Sequence, residues 1–284
     1  MKNNTGLVST DWLLEHLNDP DLVILHCSYF LGAPGWSPEA SYSRNHIPGA
    51  RLFDVDKIAD PTSPLPHMMP SADAFAEAAG RLGIGNDDQV VVYDDGGVRP
   101  AFRVWWTLKT FGHDQVAVLD GGLGKWLVEE KPVTTGVPEI RAKDYTADFH
   151  PENIVCKKDL LENLKSKNCE VLDARGPGRF TGTEEEPRAG MRSGHIPGSR
   201  NLYYGSLLNQ DGTLKSDAEL KSLVQKCRLR DGAPVITSCG SGMTAAILAF
   251  ALKRLGVSSV RLYDGSWADW GSDPTTPVET GEGS

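Results

Sequence analysis

No stretch of this 284-residue sequence approaches the roughly 18 consecutive apolar residues that a membrane-spanning helix requires. Its first residues, MKNNTGLVSTDWLLEHL, have no apolar core of the kind that marks a secretory signal. Basic residues are in deficit, 29 Lys and Arg against 38 Asp and Glu, for a net charge of −9. That balance argues against non-specific binding to nucleic acid or to anionic membranes, although it leaves room for a local basic pocket. Cysteines are few and badly spaced for structural work. Cys27, Cys156, Cys169, Cys227 and Cys239 form no CxxC pair and no Cys/His cluster with zinc spacing. Neither a disulfide framework nor a structural metal is expected. A soluble, cytoplasmic protein with no membrane and no nucleic-acid partner is expected. What is present is ordinary for a globular chain: 39% hydrophobic and 24% charged residues, and a length that suggests about two domains.

The chain repeats itself. HIPGA at 46–50 recurs as HIPGS at 195–199. Residues 91–126 align without a gap against 235–270, matching Leu108–Lys109 with Leu252–Lys253, Gly112 with Gly256, Asp120–Gly121 with Asp264–Gly265, and Trp126 with Trp270. Two homologous domains are therefore expected, the first over 1–135, a linker over the polar stretch 136–153, and the second over 154–284.

Each copy reads as α/β. Short apolar runs bounded by turn residues (LVILHC, VVVYDD and VAVL, then EVLDA, PVITSC and VRLYD) have the character of buried parallel strands. Between them lie helical patterns, several opening on Ser or Asp and closing on Gly. The alternation predicts, in each domain, a central parallel sheet flanked by helices on both faces.

The copies differ at one junction. In the ungapped frame Cys239 falls opposite Asp95, so only the second copy carries a thiol between a strand and the following helix. The first copy is five residues longer between its HIPG and its matched glycine, with the excess in or near the proline-rich DVDKIADPTSPLPHMMP, which contains His67. A turn from parallel strand to helix directs backbone N–H groups inward, and the helix N-terminus adds partial positive charge. Gly240 and Gly242 permit that tight curvature. An anion at the centre is stabilised; if the centre is the Cys239 sulfur, the thiolate is favoured, and the thiolate is the nucleophile. This reading needs a sulfur that a substrate can reach. The competing reading is a buried cysteine followed by a glycine-rich turn.

The loop CGSGMTA, the paired HIPG signatures and the YDG with its following Trp resemble the tandem-domain rhodanese sulfurtransferases over about 7–275. The loop is similar to the Cys-Gly-Ser-Gly-Val-Thr form found in the mercaptopyruvate-using branch of that family, with Met243 where Val is usual, and unlike the Cys-Arg-Lys-Gly form of the thiosulfate-using branch. The resemblance implies two rhodanese-like domains of which only the second is catalytic. It implies transfer of sulfur from 3-mercaptopyruvate through a Cys239 persulfide, with release of pyruvate, to a small thiol, thioredoxin or cyanide. It implies neither metal nor organic cofactor. Thiosulfate is the alternative donor.

The same resemblance suggests roles for individual residues. Arg179 and Arg188 match the two substrate-binding arginines, and a planar guanidinium fork suits the substrate carboxylate. Their other reading is pairing with Glu184, Glu185 and Glu186 on a solvated loop. Ser241, with His67 and Asp56 from the first copy, matches a relay that would carry a proton to the departing enolate. Gly240, Gly242, Met243 and Thr244 complete the substrate loop, with Thr244 expected to cap the following helix. His46, His195, Asp264 and Gly265 recur in both copies and read as structural; Trp105 and Trp106 read as core, and the four other cysteines as buried or incidental. Cysteine phosphatases place an arginine six residues after the nucleophile, where this chain has Ala245, which argues against phosphoryl chemistry. A non-catalytic interaction module fits the first copy but not the second.

Overall fold

A computed structural model describes residues 6–31 and 35–283. The chain divides into two compact units. The first takes the chain to Pro61, Met69–His150 and Asn209–Leu214; the second takes Thr62–Met68, Pro151–Leu208 and the chain from Lys215 onward. His67 thus groups with the second unit and Asp56 with the first. Among the described residues no helix is long and apolar enough to cross a membrane.

The first unit contains β1 (Leu7–Val8), α1 (Thr10–His16), β2 (Leu22–His26), α2 (Pro38–Arg44), β3 (Arg51–Leu52), α3 (Ala72–Arg81), β4 (Gln89–Tyr93), α4 (Pro100–Thr110), β5 (Val116–Leu119) and α5 (Gly122–Val128). The second contains β6 (Ile154–Val155), α6 (Lys157–Ser166), β7 (Glu170–Asp173), α7 (Pro177–Thr181), β8 (Arg200–Asn201), α8 (Asp217–Lys226), β9 (Val235–Ser238), α9 (Ala245–Arg254), β10 (Val260–Tyr263) and α10 (Ser266–Trp270). Each unit has one five-stranded sheet, ordered β1-β5-β4-β2-β3 and β6-β10-β9-β7-β8, with every pairing parallel. The central strands are buried on both faces, which is why β4 and β5 are dominated by apolar residues and why even Thr237 and Ser238 of β9 are buried. The edge strands β1, β3, β6 and β8 span two residues each and leave no period to detect. Stretch 136–150 lies along the first unit: Tyr145 is buried and Lys143 pairs with Asp88 at 2.7 Å.

The repeat extends to individual bonds. His46 exchanges backbone hydrogen bonds with Thr134, and His195 with Glu279. Both rings are buried and bond a carbonyl through Nδ1, so both are structural. The indole of Trp126 donates to the Pro132 carbonyl and that of Trp270 to the Pro277 carbonyl, each at 2.8 Å. Trp105 and Trp106 are core residues, as expected.

One alignment is corrected by the register. The amide of Cys27 bonds the carbonyl of Tyr93, and that of Ala174 the carbonyl of Ser238. Leu123 N–H bonds the Asp94 carbonyl, and Trp267 N–H the Cys239 carbonyl. Asp94, not Asp95, is therefore the counterpart of Cys239; the first copy carries one extra residue inside its turn, which an ungapped comparison hides. Asp94 is buried, sits 3.2 Å from Arg99, and accepts the amides of Gly96 (3.1 Å) and Ala101 (3.2 Å). The cradle in the first unit thus holds an anion of its own. Burial pushes the Asp94 carboxyl upward, with Arg99 and the two amides opposing. Replacing Asp94 by Ala strands a guanidinium that is 11% exposed and is expected to cost about 3 kcal/mol. Asp95→Ala, at a half-buried position bonded to Ser41, is expected to cost about 1 kcal/mol. Urea midpoints of the two variants check the order, and the reverse order would return the anionic role to Asp95.

Candidate active site

The site forms where β9 ends and α9 begins. Helices α1, α2, α3 and α8 are capped by the side chains of Ser9, Ser37, Ser71 and Ser216. Helix α9 has no such cap. Thr244 occupies the cap position, but its backbone is already helical and its side chain makes no capping bond, contrary to the expectation from sequence. An N-cap hydroxyl needs an extended backbone to reach the N–H groups ahead of it, and Thr244 lacks one. In the first unit the equivalent helix, α4, receives Asp94 instead. Among the described residues, the amides of Gly240, Ser241, Met243 and Thr244 make no hydrogen bond. Uncommitted amides at the start of a helix are an anion site.

The next strand fastens the turn. Trp267 and Ala268, at the start of α10, donate their amides to the carbonyls of Cys239 (2.9 Å) and Gly240 (2.8 Å). Ser266 does more, and sequence reasoning missed it. Its hydroxyl accepts the amides of Cys239 (3.2 Å) and Gly242 (3.0 Å), donates to the Tyr263 carbonyl (2.8 Å), and lies 4.0 Å from Cys239 Sγ. Two of the amides expected to face the sulfur are therefore held by Ser266. Its backbone is left-handed, φ +48°, and its side chain is fully buried. The matching residue in the first copy is Gly122, φ +60°, where a Cβ would lie 2.5 Å from the Asp94 carbonyl. A serine opposite a glycine beside a repeated Asp-Gly was the available signal.

Cys239 is 1% exposed, and Ser241, Met243 and Thr244 are also buried. The open sulfur that the sequence reading called for is not the state seen: the turn's carbonyls are drawn down by α10, which sinks the thiol. Gly240, directly beside it, is half-exposed, so the surface lies one residue away. Two arginines meet there. A Cβ on Gly240 would lie 3.0 Å from Arg179 Nη2, a tight approach, and 3.8 Å from Arg188 Nη1, an ordinary contact, so both guanidiniums lie over Gly240 and the missing side chain gives room to Arg179. Arg179 is bound to Glu186 at 2.5 and 3.1 Å. Glu186 also accepts from Arg175 (2.7 Å), which in turn grips Asp173 and lies 4.2 Å over the Trp267 ring. The pairing with Glu186 exists, but in a buried network rather than on a solvated loop. Arg188 has no ion pair among the described residues.

Ser241 belongs to the cradle, and its hydroxyl makes no hydrogen bond among the described residues. His67 is 5% exposed and holds φ +60°, a conformation that a non-glycine residue keeps only where its surroundings enforce it. Asp56 is exposed, with its amide on the Asp54 carboxylate at 3.0 Å. The remaining thiols divide: Cys27 and Cys227 are buried, and burial pushes both upward, whereas Cys156 is exposed and Cys169 half-buried.

A Rhodanese-like domain model matches residues 9–129 and 157–273. The chain is 41% identical over 271 residues to 3-mercaptopyruvate sulfurtransferase from Homo sapiens, covering 93% of this chain and 91% of that one. It is 39% identical over 287 residues to thiosulfate sulfurtransferase from Rattus norvegicus, covering 98% and 96%. The crystal structure of SseA from Escherichia coli, described with the rhodanese fold of 3-mercaptopyruvate sulfotransferases, superposes with a TM-score of 0.84 at 38% identity, covering 92% of this chain and 98% of that one.

Ser266 sets strain against hydrogen bonding. Ser266→Gly relieves a left-handed residue worth about 1–2 kcal/mol, but strands two buried amides at about 1–3 kcal/mol each. A net loss of stability is expected. Ser266→Ala keeps the strain and loses the bonds, so it should melt below Ser266→Gly; thermal unfolding of the pair checks that order.

Proposed function

We propose, for a chain that belongs to the Rhodanese-like domain family and carries two such domains, that it is a 3-mercaptopyruvate sulfurtransferase working through a persulfide on Cys239. The observation that carries this reading is the meeting of Arg179 and Arg188 at Gly240, next to a cysteine in an uncapped helix N-terminus. The relatives' names supply the substrate class. The division of labour follows the repeat: the copy ending near 135 keeps Asp94 in its cradle, and the copy from 154 keeps the thiol.

In the first half-reaction Arg188 and Arg179 hold the substrate carboxylate and ketone. The Cys239 thiolate attacks the substrate sulfur. An S–S bond forms, the C–S bond breaks, and its electron pair leaves on carbon as the pyruvate enolate. The proton released from the substrate's S–H group passes through Ser241, with His67 and Asp56, to the enolate carbon, giving pyruvate and leaving the persulfide as an anion. In the second half-reaction an acceptor thiolate, a thioredoxin dithiol or cyanide attacks the outer sulfur and returns Cys239 as thiolate. The uncommitted loop amides suit both anions, thiolate and persulfide. Because the sulfur is buried in the state described, donor entry requires the loop edge at Gly240 to open. A reducing compartment such as the cytoplasm fits the exposed Cys156 thiol.

Donor comparison tests this reading. Pyruvate released from 3-mercaptopyruvate should exceed thiocyanate formed from thiosulfate and cyanide. Cys239→Ser should abolish both and remove the added sulfur mass from the peptide containing residue 239. A strong thiosulfate preference would move the protein to the other branch of the family. For the proton delivery, Ser241→Ala and His67→Asn should lower kcat by roughly 10²–10⁴-fold, the usual range for general acid–base groups, with KM little changed. Asp56→Asn, at an exposed carboxylate, should fall less.

A further inference from the structure

The structure assigns Glu186 the role of setting the charge that the donor site accepts, an inference that rests on the sulfurtransferase reading and deepens it. Three guanidiniums and two carboxylates form the network beside Gly240: Arg175 with Asp173, Glu186 shared by Arg175 and Arg179, and Arg188 with no ion pair among the described residues. The carboxylate of Glu186 is 1% exposed and that of Asp173 2%, so neither is screened by water. One positive charge is left over, at Arg188. The exposed Glu184 and Glu185 lie on the solvent side and are screened.

A monoanionic carboxylate neutralises that excess. A dianion overshoots and leaves an excess negative charge near the buried Glu186 and Asp173 carboxylates, which water does little to screen. Arginines alone would not discriminate in this way, because two unopposed guanidiniums match a dianion better than a monoanion. Glu186 is the residue that reduces two to one. The choice of mercaptopyruvate over thiosulfate then depends on a buried glutamate seven residues from Arg179 as well as on the small residues after Cys239.

The test is a ratio of dissociation constants measured by equilibrium titration at fixed ionic strength, with pyruvate as the monoanion and sulfate as the dianion. It needs no turnover, so it stands apart from the donor comparison. Glu186→Gln should shift the ratio toward sulfate by about tenfold, or about 1.4 kcal/mol. Glu186→Asp, which keeps the charge, should hold the wild-type ratio even if both anions bind more weakly. Arg188→Gln should move the ratio the opposite way, and it does so whether or not Glu186→Gln folds. An unchanged ratio in Glu186→Gln, or a sulfate gain in Arg188→Gln, would overturn the assignment and leave Glu186 as a prop for Arg179. Loss of the mercaptopyruvate activity itself in wild type would instead count against the function proposed above.

Discussion

A parallel strand that turns directly into a helix exposes amide hydrogens with nowhere to go, and each unit of this protein is built around what satisfies them. In the first unit the chain supplies its own answer, the Asp94 carboxylate, held by Gly96, Ala101 and Arg99. In the second unit the corresponding place belongs to a sulfur, and the amides of Gly240, Ser241, Met243 and Thr244 stay uncommitted among the described residues. The rest of the site is arranged to keep that turn in shape. Helix α10 ties the carbonyls, Ser266 ties two amides, and the glycine at 240 leaves room for the Arg179 guanidinium.

Duplication makes this comparison unusually direct. The two sheets share strand order, the two HIPG segments make the same bridge, and two tryptophans make the same bond to a proline carbonyl. Against that common background the differences stand out as chemistry: thiol for carboxylate, serine for glycine at the left-handed position, and a network of buried charge behind Arg179.

Much of this was legible in the sequence, for physical reasons. Central strands buried on both faces are mostly apolar, and serine caps announce helices, so the α/β layout and the strand-to-helix turn at Cys239 could be read. Two-residue edge strands carry no pattern, and helices such as α5 and α10 that begin at a glycine turn have no cap to announce them. The extra residue in the first turn was invisible to an ungapped comparison because the flanking helices stay in register, which put Asp95 where Asp94 belongs. The Arg179–Glu186 pair was legible as a possibility, but burial is a tertiary fact, and it is burial that turns an ordinary surface pair into a fixed charge. The sunken position of Cys239 has the same origin, since it depends on hydrogen bonds from a helix that starts 27 residues later.

The contrast between a filled and an unfilled cradle also bears on endurance. The first unit carries its counter-anion covalently and holds it in every chemical state of the protein. The second unit has a cysteine at that place and leaves the amides of Gly240, Ser241, Met243 and Thr244 open among the described residues, so its folding free energy is linked to whatever anion they receive. Occupancy of that turn is a ligand effect in the thermodynamic sense: an anion seated on the open amides tightens it, and without one the turn is held only by its own bonds. Resistance to heat is then built in for the first unit and conditional on a bound anion for the second.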